Sequence, residues 1–405
     1  MTSTRRSMFL CLLMLWVTTA WSQVESYNYG DAKTTSDFSF FTPPADASLY
    51  KLSDAGKNSG NVNNVIFMIG DGMGDAQIAL TREQGKAGKL YMEKLPVRGQ
   101  IATVSLSGTT DSAAAGTALA CGIKTRNKAI GVNPSGVAYE NILGASKHIG
   151  KKTALVATST ISHATPASFA SHVNSREEES DIAAQMFENR VNVMLGGGRQ
   201  YWVPSSEKGG KSKGARNLIN EASEAGYTVV KDLAELSKVE GAYVLGLFQM
   251  GALNTSGEEP SLPQMTREAL RILGSNKLSG NKGFFMMVEG SQIDWACHAN
   301  NAEYCVKQTL LFDLAVKEAM EFALADGHTL VIVTADHETG GLALEESSAG
   351  KPVAKWQSKG HSSTPVPLFA FGPGADKFST VKDNTEVPQT IAKLLDISDF
   401  PRIKP

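Results

Sequence analysis

From residue 64 onward, short uninterrupted apolar runs alternate with longer stretches whose apolar residues recur every three or four positions. The runs at 65–69, 154–157, 192–195, 243–248, 284–288, 329–333 and 368–371 have the pattern of strands buried on both faces. The stretches at 178–189, 215–225, 262–273 and 305–325 carry the helical period. Strand and helix in alternation predict an α/β fold, a large, mostly parallel central sheet with helices on both faces. In such sheets the chemistry lies just beyond the carboxyl ends of the strands, so motifs that directly follow a strand count for most. No repeat or linker interrupts 64–405, which reads as a single domain.

The first 63 residues follow other rules. Arg5 and Arg6 precede a short apolar run, 8–20, and Ala20-Trp21-Ser22 offers small residues where a signal peptidase reads. The run falls short of the roughly 20 residues a membrane span needs. Residues 1–22 are therefore expected to be a cleaved signal. The protein is expected to be exported, periplasmic or secreted, with no membrane attachment afterwards. Residues 23–63 lack any sustained period and read as an N-terminal arm. Once Cys11 is removed, Cys121, Cys297 and Cys305 remain. Either Cys297 and Cys305 pair, or all three are buried thiols. Composition adds one exclusion: 39 basic residues against 41 acidic ones leave no excess to neutralise nucleic-acid phosphates.

Acids, histidines and hydroxyls concentrate after four of the predicted strands. Asp71 sits between glycines in Gly70-Asp71-Gly72, which presents a carboxylate at a sharp turn. Alone it is an ordinary turn former. Ser112 opens a small-residue helix, where free backbone N–H groups favour an anion, and Asp111 before it has the chemistry of a cap. Ser162-His163-Ala164-Thr165 leads through His172 to Arg176, whose planar fork suits phosphate as well as a surface ion pair. Glu289 closes another strand, and Asp294 and His298 stand four apart on one helical face. Asp336-His337 follows a fourth strand, and His361 precedes the last. Such Asp/His sets suit zinc, and carboxylate–hydroxyl sets suit magnesium.

The blocks IGDGMGD, TDSAAAGTA, HATPASFASHVNSR, EGSQID and TADHETGG, in this order, resemble the alkaline phosphatase family from about residue 64 to 396. The resemblance implies that Ser112 is a nucleophile that becomes phosphorylated, with Arg176 clamping phosphate and Asp111 positioning that arginine. One zinc would be held by Asp294, His298 and His361, a second by Asp71, Asp336 and His337. A third site, usually magnesium, would use Asp71, Thr165 and Glu289. It implies hydrolysis of phosphate monoesters with broad specificity, an alkaline optimum, and a homodimer. The 18 residues at 342–359 leave little room for a large insertion over the dimer.

Two positions depart from the pattern of the best-known bacterial members. His163 stands where Asp is common, and Trp295 where Lys is common. A nitrogen donor matches magnesium poorly, so the third site is expected to hold it weakly, or to take zinc or cobalt. An indole in place of an ammonium is expected to weaken inhibition by phosphate relative to a Trp295→Lys variant. His172 is expected near the site as a hydrogen-bonding support. Related metal-dependent phosphodiesterases or sulfatases are the enzymatic alternative, and an exported phosphate- or metal-binding protein the non-enzymatic one.

Overall fold

Each apolar run is a strand because its side chains are buried on both faces of the sheet. In the computed structural model, residues 61–85, 88–255, 257–275, 282–346 and 352–404 are described. The expected signal peptide, and the arm before residue 61, lie outside them. The strands in chain order are β1 Asn64–Gly70, β2 Val97–Ile101, β3 Lys152–Thr160, β4 Val193–Gly197, β5 Thr228–Val230, β6 Val244–Leu247, β7 Phe284–Gly290 and β8 Thr329–Thr334, followed by β9 Glu338–Thr339, β10 Ala343–Glu346, β11 Pro352–Lys355, β12 His361–Ser362 and β13 Val366–Phe371. Nine form one sheet in the order β2-β13-β8-β1-β7-β3-β4-β6-β5. Only β13 runs against its neighbours, so the sheet is mostly parallel, as the alternation predicts.

Side chains alternate across the sheet, and the aromatic contacts of β7 show what covers each face. Phe284 meets Phe322 of the helix Ala302–Asp326, with ring centroids 5.6 Å apart. Its neighbour Phe285 stacks instead on Phe169, beyond the helix Ala164–Ser168, at 6.1 Å. Helices therefore lie on both faces. Local signals set their ends. Asn301 caps the long helix through Tyr304 N, and Gly327, in the left-handed conformation, closes it. Ser261 and Gln264 form a capping box ahead of Leu262–Leu273.

Two sheet strands have no apolar run. β2 alternates partly exposed and exposed residues at the sheet edge, and β5 is three residues long. The 342–359 connection forms the hairpin β10–β11, and β9 pairs with β12 in a separate two-residue ladder. Cys121, Cys297 and Cys305 are buried free thiols, with Cys297 Sγ 3.7 Å from Cys305 Sγ. The pairing alternative is thus not realised here. Among the described residues no helix is long and apolar enough to cross a membrane.

The order β8-β1-β7-β3 positions everything that follows. Ile69 lies opposite both Glu289 and Thr334, and Ala157 opposite Glu289. Four adjacent strands therefore end together, and the four motif-bearing segments leave the sheet side by side.

Candidate active site and metal centre

Three groups of ligand-type side chains converge at that edge. Asp294, His298 and His361 form the first, Asp71, Asp336 and His337 the second, and Asp71, His163 and Glu289 the third; within each, one donor atom per residue lies within 4.8 Å of the others. Asp71 follows β1, Asp336 and His337 follow β8, and Asp294 and His298 share the helix Gln292–His298 after β7. His361 arrives on β12, the strand paired with β9 immediately after His337.

Each histidine of the first two groups turns Nε2 inward and bonds Nδ1 to an oxygen behind it. His361 Nδ1 donates to Thr110 O at 2.8 Å, and His298 Nδ1 to Lys359 O. His337 Nδ1 lies 3.2 Å from Thr339 Oγ1, whose hydroxyl donates to Asp294 Oδ1 at 2.5 Å. With the Nδ1 protons so engaged, the Nε2 lone pairs face one another: His298 and His361 at 3.1 Å, with Asp294 Oδ2 3.2 Å from His298 Nε2. His337 Nε2 lies 3.2 Å from Asp336 Oδ2 and 3.4 Å from Asp71 Oδ1. Acceptors that face acceptors call for a cation between them, a metal or, between His298 and Asp294, a proton.

The carboxylates give the same answer. Among the described residues, both oxygens of Asp71, Asp336 Oδ2 and Glu289 Oε1 are buried without a hydrogen-bond partner. Leaving charged atoms so placed is costly unless an ion compensates them. Burial, then repulsion from Asp294 and Glu289, pushes Asp336 up to about 8. Burial, then Asp336, Asp294 and Glu289, raises Asp71. Asp294 goes the other way. Burial would raise it, but His298, His361 and His337 hold it far below the usual carboxylate range. Burial likewise opposes charge on His298, yet Asp294 lifts it to about 9. The donor sets fit the metals expected of them: mixed nitrogen and oxygen for zinc in the first two groups, and a largely oxygen set in the third, where the buried Thr165 hydroxyl faces Glu289.

Ser112 is the first residue of the helix Ser112–Cys121, and its Oγ lies 3.2 Å from His337 Nε2. Asp111 does both of the things its type allows. Its Oδ1 caps the helix through Ala114 N at 3.0 Å, and its Oδ2 accepts from Lys128 N at 3.0 Å and from Arg176 Nη1 at 3.4 Å. Arg176 Nη2 donates to His163 Nε2 at 2.9 Å. A guanidinium can only donate, so His163 Nε2 accepts and the ring proton sits on Nδ1. Burial, then Arg176, pushes His163 down to about 3, which keeps it neutral. Trp295 packs edge-on against the His163 ring at 6.1 Å.

One expected neighbour lies elsewhere. His172 bonds Tyr139 O at 2.7 Å and Gln185, and its Nδ1 faces Lys404. None of its contacts is a candidate ligand, because after the helix Ala164–Ser168 the chain turns back to pair Val173 with Ile130. Conversely, Thr339, Glu338 and Gln77 form the layer behind the ligands, although only their places within the DHETGG and GDGMGDAQ stretches hinted at it. The glycines of the first motif also have a further use. A Cβ on Gly72, whose φ is +73°, would lie 2.7 Å from Asp294 Cα and 2.9 Å from Thr339 Oγ1. The Asp71 loop is thus threaded between the two zinc-type groups.

Thr339 joins those groups through one hydroxyl. Thr339→Val keeps the volume and removes both bonds. It is expected to lower affinity for the metal of these groups about 10- to 100-fold, measured with added zinc by competition with a chromogenic chelator; wild-type affinity would refute that role.

A sequence profile of alkaline phosphatase matches residues 62–354. Alkaline phosphatase 4 of Bacillus subtilis is 35% identical, covering 85% of this chain and 91% of its own. The alkaline phosphatase of the Antarctic bacterium TAB5 superposes with a TM-score of 0.75 at 35% identity, covering 84% of this chain and 100% of its own. A histidine-to-aspartate variant of that enzyme, with magnesium bound in its M3 site, is similar to this chain at a TM-score of 0.73 and 35% identity, over 83% of this chain and 98% of that one. Sheet order, ligand groups and sequence agree: the chain belongs to the alkaline phosphatase family, metal-dependent enzymes that hydrolyse phosphate monoesters.

Proposed function

We propose that this enzyme cleaves phosphate monoesters through a phosphoserine at Ser112, in a site holding two zinc ions and a third, magnesium-class ion. The observation that carries the reading is the position of Ser112 Oγ, at a helix N-terminus and 3.2 Å from His337 Nε2 where the ligand groups meet. Zinc at the Asp294/His298/His361 and Asp71/Asp336/His337 groups would, when bound, act as a Lewis acid, lowering the pKa of hydroxyl and water and stabilising oxyanions. The chain supplies the rest. Ser112 Oγ gives up its proton to solvent and attacks phosphorus in line, and the ester oxygen leaves on the opposite side, taking a proton from water. Arg176, held by Asp111 and His163, clamps two non-bridging oxygens, and N–H groups opening the helix face the developing charge. Water then attacks the phosphoserine and frees phosphate and Ser112. None of these groups reads the alcohol beyond its oxygen, so broad specificity is expected.

The test is a comparison of rates on an aryl phosphate monoester, the matching diester and the matching sulfate, with metal content measured on the same preparation. Fast monoester turnover with two zinc ions per chain supports the reading. A preferred diester or sulfate, or no turnover with zinc and magnesium supplied, overturns it in favour of the related esterases or of a binding protein.

The third site should bind magnesium weakly. His163, grouped with Asp71 and Glu289, gives its Nε2 lone pair to Arg176 and carries its proton on a buried Nδ1 that has no hydrogen-bond partner among the described residues, so neither nitrogen is free for a cation. Zinc or cobalt would have to displace that proton or the arginine. Magnesium titration of metal-stripped enzyme at fixed zinc is expected to need higher concentrations than for His163→Asp. Equal or tighter binding by the wild type would contradict this. Removing the indole beside His163 and adding an ammonium, Trp295→Lys, should strengthen phosphate inhibition; equal inhibition constants at matched pH would refute it. We also propose an exported homodimer with residues 1–22 cleaved, to be checked by amino-terminal sequencing and light scattering.

A further inference from the structure

His337 and His361 serve different candidate metals, yet their rings stack with centroids 3.6 Å apart and planes 20° from parallel. The backbone that holds them in that relation is a short ladder, extended by one bond from Gly340 N to Gly360 O at 2.8 Å. β9 and β12 share only the pairs Thr339–His361 and Glu338–Ser362, too short a ladder to fix a distance alone.

Glu338 strengthens the ladder from within. One carboxylate oxygen accepts from Ser362 Oγ across it. The other accepts from Gln77 Nε2 at 2.9 Å and Leu342 N at 3.1 Å. The same Gln77 amide donates to Thr339 O at 2.8 Å, and its oxygen accepts from Gly74 N at 3.1 Å. Both Gln77 and Glu338 are buried, and Gly74 passes so close that a Cβ there would lie 2.6 Å from Glu338 Cγ. The network thus ties together the loop carrying Asp71, the strand after His337 and the strand carrying His361. Among the described residues the Glu338 carboxylate has no cationic side-chain partner, and its hydrogen bonds go to Gln77, Leu342 and Ser362 rather than to a candidate ligand.

We infer that Glu338 is a positioning residue that, with Gln77 and Ser362, sets the spacing of the two zinc groups and hence their affinity for metal. The inference rests on the two-zinc reading. Its consequence is that zinc is retained through a carboxylate that never contacts it.

The experiment is zinc titration of metal-stripped wild type, Glu338→Gln and Glu338→Ala against a chromogenic chelator, with thermal unfolding of each stripped protein. Glutamine keeps an acceptor for Gln77 and Leu342 and an amide for Ser362 Oγ, whereas alanine keeps nothing. Glu338→Ala is expected to bind zinc about 10- to 100-fold more weakly, with Glu338→Gln restoring most of the loss and the stripped unfolding midpoints close together. Wild-type zinc affinity in Glu338→Ala, or a loss in Glu338→Gln as large as in alanine, overturns the inference. So does a loss that merely follows a lowered midpoint. If Glu338→Ala does not fold, Ser362→Ala decides: at least about threefold weaker zinc supports the tether, and unchanged affinity overturns it. A wild type that binds fewer than two zinc ions refutes the underlying reading instead, which keeps the two failures apart.

Discussion

Ser112→Ala should lose about 10⁴- to 10⁶-fold in kcat on a phosphate monoester while remaining folded and metal-loaded. The serine is buried, and among the described residues the one side-chain hydrogen bond made by its Oγ is to His337, a candidate ligand. Removing the hydroxyl therefore takes away the attacking atom and little packing. What remains is attack by water, which can still use Arg176 and any bound metal but lacks a nucleophile fixed in line with phosphorus. Rates, zinc content and thermal unfolding should be measured on the same samples. A loss under tenfold would mean that water, and not Ser112, attacks the substrate. A large loss accompanied by lost zinc would mean that Ser112 acts chiefly by helping to hold metal.

Stripping the metals should abolish turnover and destabilise the fold, and the destabilisation should grow as pH rises. Folding brings Asp71, Asp336, Glu289 and Asp294 into one buried site. Without a cation, burial and mutual repulsion leave Asp336 up at about 8, and Asp294 holds His298 up at about 9. Both groups then carry more protons in the folded than in the unfolded chain at neutral pH. Stability must fall as pH rises until each has titrated, that is, through the window from about 7 to 9. His337 and His361 are shifted down, chiefly by burial, so their opposing contribution is complete below that window. With zinc bound the ligands are already deprotonated, and saturating metal stabilises by mass action, about 4 kcal/mol at a thousandfold excess over Kd. Unfolding midpoints with and without chelator should therefore diverge from pH 7 to 9. Parallel curves, or a stripped protein that gains stability over that range, would contradict this electrostatic account.

The sequence was most legible where one physical demand dominated. Continuous apolar runs could only be buried strands, and the sheet is built from them. β2 and β5 stayed hidden because an edge strand with alternating exposure and a three-residue strand carry no such run. Of the site, the ligand types and their places after strands were readable, since acids and histidines beside a sheet edge have few other uses. The roles of Asp111 could not be separated in sequence, because capping and gripping Arg176 use different oxygens of the same carboxylate. The network behind the ligands was opaque for another reason. Gln77, Glu338 and Ser362 meet across 261 and 24 residues of chain, brought together by the β8-β1 neighbourhood in the main sheet and by the separate β9–β12 ladder. His172 misled because nearness in sequence to Arg176 does not survive the turn that pairs Val173 with Ile130.

The claim that Ser112 is the atom on which phosphate transfer turns can be tested directly. The enzyme is mixed with a phosphate monoester, quenched in acid during turnover and digested, and the peptides are mapped by mass spectrometry. One phosphoryl group should appear on the peptide containing Ser112, be absent from Ser112→Ala, and disappear as the substrate is exhausted. Full turnover with no phosphorylated peptide, or with the group on another residue, would contradict the account.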